Sequence, residues 1–469
     1  MRPARPGLVA LFGVLLPVAL VVGCSSSDGG PGPRATGSSS MSGSTTPGGP
    51  AGVTDPPEPR LAGFYGQRLA WHDCSGGVQC ARLTVPVDYT EPDGATLRIA
   101  VDRKPSSGTH RGSLVFNPGG PGVAGLPFIR SASSVASAAV REHSDVVGFD
   151  PRGIGASRAL QCLTDRQLDA FLAQDGSPDS PAEETELQRQ GELLAAGCLR
   201  DDPSLAAHMG TRDVARDLDV LRAALGDARL TYLGKSYGTY LGALYAGLFP
   251  NRVGRLVLDG PLDPSATNLD NARVQAAGFQ RALESFLDDC LRRSSCPLRG
   301  GRAQAESQLR SMLEATDAHP LKAAGSRVAT QALATYGVAI GLYDTGYWQF
   351  LRQAIGEALD GDGDSLLALA DFYNDRGPGG HYTTNTSEAI YAVNCLDRPE
   401  RSTLATFRAD AADAARISPI FGPYIVWSNL PCATWPVPAE GDPEPVEAVG
   451  SAPILVVGTT RDPATPYES

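Results

Sequence analysis

A serine between two glycines carries the most chemistry in this chain. The stretch Leu230-Thr-Tyr-Leu-Gly-Lys-Ser236-Tyr-Gly238 reads as a buried strand, a sharp turn and the start of a helix. A serine on such a turn presents its hydroxyl on a strained corner at the carboxyl edge of a sheet, poised as a nucleophile. Glycines suit positions 234 and 238 because a Cβ at either would collide with neighbouring backbone. The pattern alone is weak in a chain with 53 glycines, so its surroundings decide. Asn117-Pro-Gly-Gly-Pro-Gly122 follows another short apolar segment, and its paired glycines leave backbone N–H groups free to converge on an anion. A peptide N–H at Gly119 or Gly120, with that of Tyr237, would stabilise a tetrahedral oxyanion. Read without its neighbours, the same stretch is a strand-ending turn. Asp462 closes a third apolar segment, in Gly458-Thr-Thr-Arg-Asp-Pro-Ala-Thr-Pro466. A carboxylate there would hold a histidine in the right tautomer and stabilise its imidazolium. Taken alone, it is a common turn former.

These residues need a sheet to hold them. Segments 113–117, 145–150, 255–259 and 452–458 are short, rich in β-branched or aromatic side chains, and bounded by Gly or Pro. With the strand before Ser236 they predict an α/β fold, a mostly parallel sheet covered by helices on both faces. Such sheets bind ligands beyond the carboxyl ends of their strands. Residues 211–225 predict one covering helix, with Val214, Leu218, Leu221 and Leu225 on its apolar face. The long insertion before the last strand is helical in pattern at 268–293, 328–344, 347–359 and 365–373. It predicts a helical cap, residues 266–430, over the active-site edge. The core then comprises residues 58–265 and 431–469.

The composition, 42% hydrophobic and 20% charged, is that of a globular protein. A net charge of −12 with few, scattered lysines repels a polyphosphate and excludes a nucleic-acid partner. Arg2 and Arg5 precede a mostly apolar run from Gly7 to Val22, too short for a bilayer span of about 20 residues. The run ends Val21-Val22-Gly23-Cys24 and resembles the bacterial lipobox. That resemblance implies removal of residues 1–23, lipidation of Cys24, and an exported protein anchored to the outer face of the cell membrane. Residues 24–57 follow as a tether; 25–57 hold eight Ser and eight Gly with almost no large apolar side chains, a composition that stays disordered. Such a coil spans about 30 Å.

Eight further cysteines remain: Cys74, Cys80, Cys162, Cys198, Cys290, Cys296, Cys395 and Cys432. An even number in an exported chain implies disulfides, with about 105 connectivities open and neighbour pairing the simplest. There is no Cys-x2-Cys pair and no histidine spaced with a cysteine as zinc requires, so neither metal nor cofactor is expected.

Four motifs, in order, carry a resemblance. They are Asn117-Pro-Gly-Gly-Pro-Gly122, Gly148-Phe-Asp-Pro-Arg-Gly-Ile-Gly-Ala-Ser157, Gly234-Lys-Ser-Tyr-Gly238 and Asp462-Pro-Ala-Thr-Pro-Tyr-Glu468. Together they resemble the secreted tripeptidyl aminopeptidases of actinobacteria, α/β-hydrolases related to prolyl aminopeptidases. The likeness runs from about Trp71 to Ser469 and includes the cap, at Gly361-Asp-Gly-Asp-Ser-Leu366 and Ala389-Ile-Tyr-Ala-Val-Asn-Cys-Leu-Asp397. It implies a serine hydrolase that removes short peptides from free N-termini through an acyl-enzyme, with relatives that cleave esters. Ser236 would attack, Asp462 would orient the base, and Arg152 would brace the oxyanion loop through buried polar contacts. A substrate ammonium calls for a carboxylate near the cleft. Asp397, then Glu388, are the cap's candidates, against the plainer alternative of solvated surface acids. The partner implied is a peptide or ester substrate; oligomeric state is left open.

The same resemblance implies a triad histidine a few tens of residues past Asp462, in a Gly-His segment after one more strand. The sequence given stops at Ser469, and its six histidines all precede the acid. His110 and His143 lie before strands, at the wrong edge of the sheet, and His72 lies earlier still. His208 precedes a helix and would sit nearer; His319 and His381 fall in the cap. The expectation is an incomplete or prematurely terminated sequence, its C-terminal strand and helix missing, strand 454–457 left as an open edge, and its base beyond Ser469. The rival reading, from another class, is a peptide-binding lipoprotein that keeps the cleft without the base.

Overall fold

The computed structural model describes residues 54–467. The leader, Cys24 and most of the tether fall among residues 1–53 and lie outside the described residues.

Eight strands form one sheet: β1 (His72–Asp73), β2 (Gln79–Pro86), β3 (Thr96–Lys104), β4 (Ser113–Asn117), β5 (Asp145–Phe149), β6 (Leu230–Lys235), β7 (Val253–Asp259) and β8 (Ile454–Val457). Their order is β1-β2-β3-β5-β4-β6-β7-β8. From β5 to β8 every pairing is parallel, while β1 to β3 are antiparallel and β3 meets β5 antiparallel. The sheet is mostly parallel, as the sequence predicts. Every residue of β4 and β5 is buried, which is why these strands read as unbroken apolar runs. The β2–β3 hairpin is not evident from the sequence, because exposed residues such as Arg82 and Arg98 interrupt its apolar runs. At the other end β8 pairs only with β7, and Leu455 and Val456 remain more than half exposed.

The longer helices between β5 and β7 are α1 (Asp165–Ala173), α2 (Pro181–Asp201), α3 (Thr211–Leu225) and α4 (Tyr237–Leu248). Helix α3 buries Val214, Leu218 and Leu221 and stops at Gly226, whose φ of 83° closes it in a left-handed cap. After β7 come α5 (Asn268–Leu291), α6 (Arg302–Ala318), α7 (Gln331–Gly341), α8 (Trp348–Leu359), α9 (Asp364–Tyr373), α10 (Thr386–Asp397), α11 (Leu404–Ile417) and α12 (Gly422–Trp427). These helices have an apolar core of their own around Leu283, Phe286, Leu309, Val338, Leu351 and Ile355. Capping boxes at Thr164/Gln167, Ser180/Glu183 and Thr267/Asp270 start α1, α2 and α5 by satisfying their first free N–H groups.

Two details differ from the expected helices. Val328–Ala329 pairs with Leu321–Lys322 as a small hairpin, so the helix read at 328–344 begins only at Gln331, behind the N-cap Thr330. Helix α2, in the segment assigned to the core, also packs on the cap: its Leu187 shares an apolar cluster with Phe407 and Trp427. Disulfides link all four neighbouring cysteine pairs, Cys74–Cys80, Cys162–Cys198, Cys290–Cys296 and Cys395–Cys432.

Candidate active site

Ser236 occupies the corner between β6 and α4, with φ 51° and ψ −122°. That conformation is costly for a residue with a Cβ, by about 1–3 kcal/mol, and its neighbours hold it in place. The Ser236 N–H donates to Asp259 O at 2.9 Å, and the Tyr232 hydroxyl to Gly238 O at 2.8 Å. A Cβ at Gly234 would lie 2.2 Å from Gly238 O, and one at Gly238 would lie 2.9 Å from Asn117 O. Both glycines are therefore required by the close approach of strand, turn and helix. Ser236 opens onto a cleft of about 620 Å³ between the sheet edge and the cap, and Gly120 and Tyr237 share its floor.

Two N–H groups at that floor are free to meet an anion. Tyr237 is the first residue of α4, so its N–H has no acceptor within the helix. Gly120, at φ 109°, donates to no described residue. Gly119, also considered as a donor from the sequence, is corrected: its N–H is bonded to Asn117 Oδ1 at 3.0 Å. Its role is space, since a Cβ there would lie 2.6 Å from Lys235 O and 3.1 Å from the Ser236 Cβ. The loop is braced from behind. Asp150 accepts from the N–H groups of Leu126 (3.1 Å) and Ala156 (2.9 Å). Arg152, fully buried, donates twice to Asp217 and to the carbonyls of Pro86, Val87 and His208.

Asp462 follows β8 at the same edge of the sheet. Its Oδ1 accepts from the N–H groups of Ala464 and Thr465, and its Oδ2 from Thr465 Oγ1, each at 2.9 Å. Ala464 and Thr465 in turn line the cleft, so the acid's own turn forms part of the wall. Among the described residues, no histidine lines that cleft. His208, read as the nearest from the sequence, is instead held by Asp213 at 3.2 Å, which raises its pKa. His110 pairs with Asp145, His143 with Thr109 O, and His381 with Asp165. Ser236 Oγ makes no hydrogen bond to a described residue.

Neither proposed amine-binding acid faces the cleft, and neither is a solvated surface group. Asp397 receives the Thr211 N–H at 2.7 Å and the Thr211 hydroxyl at 2.5 Å, capping α3. Thr211 Oγ1 lies 2.6 Å from the Tyr237 hydroxyl, which links the end of α10 to the residue after the serine. Burial pushes the Asp397 carboxyl up to about 6, against the hydrogen bonds from Thr211. Glu388 receives the N–H groups of Cys162 (2.9 Å) and Leu163 (2.6 Å) and ties α10 to the loop after β5. Burial pushes it up to about 7. Both acids dock a cap helix onto the core.

The roof of the cleft is aromatic. Phe279 packs against Tyr343 and Phe421 with ring centres 5.7 and 5.3 Å apart, and Tyr336 against Tyr373 and Tyr424 at 5.7 and 5.8 Å. Polar groups among these walls are hydroxyls and amides, the amides including Asn271, Gln275 and Asn394. Among the described lining residues the charged ones are Lys235 and Arg398; none is a carboxylate. These walls pass unnoticed in the sequence, because the aromatic residues are spread over five cap segments and only the tertiary fold brings them together.

Comparison with known proteins gives the same architecture a family. The model of the alpha/beta hydrolase fold family matches residues 112–469. The chain is 37% identical to serine protease Hip1 of Mycobacterium tuberculosis over 437 residues, covering 88% of this chain and 82% of that one. It is 36% identical to carboxylesterase B of the same organism, over 89% of this chain and 84% of the other. It is 34% identical to the tripeptidyl aminopeptidase of Streptomyces coelicolor, over 85% and 76%.

Proposed function

The chain belongs to the α/β-hydrolase family, as a serine hydrolase of the peptidase type, and from that premise we propose that it releases short peptides from the N-termini of its substrates through an acyl-enzyme on Ser236. The observation that carries this is the strained Ser236 corner opening beside the unengaged N–H groups of Gly120 and Tyr237. Ser236 Oγ attacks the scissile carbonyl while its proton passes to a base. The resulting oxyanion is received by Gly120 and Tyr237, and the base returns the proton to the departing amine. Water then cleaves the ester by the same steps. The base the chemistry requires is a histidine oriented by Asp462. No histidine among the described residues lines the cleft, and the family resemblance puts the base C-terminal to Asp462.

With Asp397 and Glu388 engaged elsewhere, recognition of a substrate ammonium falls to the amide oxygens of the cleft wall, such as Asn271 and Asn394. The relative named carboxylesterase B, together with the apolar aromatic roof, favours a second reading in which an acyl ester is the substrate. Export with a lipid anchor on Cys24 completes the proposal, and the four disulfides support an oxidising compartment.

The test uses the full natural chain, with a chromogenic tripeptide offered beside an N-acetylated twin and a short acyl ester. Hydrolysis of the free-amine peptide, lost in Ser236→Ala, is the expected result. Preference for the ester moves the assignment to the second reading. Peptide binding without turnover, unaffected by Ser236→Ala, sinks both.

A further inference from the structure

We propose that Arg398 forms an anion-reading subsite in the cleft, where a substrate carboxylate docks; that the bound anion is a substrate rests on the hydrolase reading above. Arg398 follows α10 and is 6% exposed. Its backbone is fixed on both sides: the N–H donates to Asn394 O, and the carbonyl accepts from Asn268 Nδ2. Its Nε donates to Ala266 O at 3.2 Å, and the guanidinium lies 4.5 Å over the Tyr240 ring. Among the described residues no other hydrogen bond engages its side chain, and the Asp397 carboxylate attracts it only from beyond ion-pair distance. Nη2 is buried without a hydrogen-bond partner, and no described carboxylate lies within ion-pair distance.

The acids nearest in sequence are engaged with other groups. Asp397 is bonded twice to Thr211, and Glu400 Oε2 receives Asn268 Nδ2 while Oε1 receives the Ser402 N–H. A guanidinium removed from water without a directly paired carboxylate is a destabilising arrangement, retained only where something else compensates it. Arg398 borders the 620 Å³ cleft that holds Ser236. The missing hydrogen-bonded partner is therefore supplied by what enters that cleft. A guanidinium receives a carboxylate through paired, charge-assisted hydrogen bonds. Asn271 and Asn394 line the same cleft, and their side-chain amides bond to no described residue, so further donors are at hand. Lys235, the other lining cation, already has Asp259 at 3.8 Å.

Two sources of carboxylate share this chemistry: a peptide C-terminus and an acidic side chain. Calorimetric titration of the full natural chain carrying Ser236→Ala separates them. One pair of probes is tetra-alanine as acid and as amide; the other is a tetrapeptide amide with Glu or Gln at one position. The expected result is an acid binding about tenfold tighter than its neutral twin in one pair, about 1.4 kcal/mol. Arg398→Gln should bring that ratio to within about twofold of unity. Arg398→Lys, which keeps charge but loses the planar fork, should keep part of the preference and serves if the glutamine variant does not fold. Equal binding of acid and neutral twins in both pairs overturns the subsite, as does a preference that survives both substitutions. Failure of the hydrolase reading would look different: the acid preference would be present, yet the chain with Ser236 intact would turn over none of the peptides.

Discussion

The molecule buries two arginines near its active edge and treats them in opposite ways. Arg152, behind the oxyanion loop, donates to Asp217 twice and to three carbonyls, with Asp213 at 3.3 Å. Arg398, on the cleft wall, has one carbonyl, one aromatic ring and an unpartnered Nη2. A buried cation whose donors are all satisfied by its own chain has nothing left to offer a ligand; it organises the fold. One left open beside a cavity stabilises little and is available for binding. Ser236 belongs to the second kind, since its hydroxyl bonds to nothing described and its backbone is strained. The saturated region builds, and the unsaturated region acts.

The largest expected effect lies on the open side. Ser236→Ala should lower turnover by ~10⁴–10⁶-fold, because losing the nucleophile leaves only the oxyanion donors and binding. Its thermal midpoint should stay within about 2 °C of the parent, as no hydrogen bond to the protein is lost. A large loss of stability would show that the hydroxyl is engaged after all. On the saturated side the pattern should invert. Arg152→Met should cost about 3–5 kcal/mol in denaturant unfolding, because Asp217 is left charged and buried without its partner. A double substitution that also replaces Asp217 with Leu should recover part of that loss. No recovery would mean the guanidinium acts mainly through its carbonyl contacts.

The two regions were also unequally legible in the sequence. The elbow could be read because a local rule, glycine on either side of a strained serine, is written within five residues, and the strands around it are continuous apolar runs. The brace was half legible: the Gly-Phe-Asp-Pro-Arg-Gly motif suggested a buried Arg152, but its acceptors lie more than 50 positions away. The amine-binding assignments to Asp397 and Glu388 failed to place either acid at the cleft for a physical reason. They sit at opposite ends of α10, and which core group each one meets depends on how that helix docks. Arg398 is one residue beyond Asp397, yet nothing in its local sequence distinguishes an arginine facing solvent from one facing a cavity. Helix α2 escaped notice because its 21 residues bury only a few large apolar side chains, Leu187 and Leu194 among them.

The docked carboxylates allow a milder test of the same contrast. Glu388 is satisfied by two N–H groups, yet burial raises its folded pKa from 4.5 to about 7. The folded state therefore binds the proton more tightly than the unfolded chain. Its contribution to stability is complete below about 4.5 and is lost as pH rises through about 7. Asp397, raised from 3.8 to about 6, acts with the same sign. Melting should therefore show the cap–core junction tighter at pH 5 than at pH 7.5, by at most ~3 kcal/mol from Glu388. Glu388→Gln should flatten that slope. A slope unchanged by the substitution would place the titration elsewhere.

The smallest effect is the most discriminating. If Arg398 is held open for a ligand, removing it from the unliganded protein should cost almost nothing. Arg398→Met loses the Ala266 hydrogen bond and the Tyr240 contact, together about 1–2 kcal/mol. It also relieves a buried guanidinium of its unpaired charge, a gain of similar size. The net change in unfolding free energy should fall within about 1 kcal/mol of zero, against 3–5 kcal/mol for Arg152→Met. Two buried arginines of unequal cost would tie binding capacity to unsatisfied hydrogen-bonding potential. A cost near that of Arg152→Met would instead make Arg398 a second brace, with a partner inside the fold.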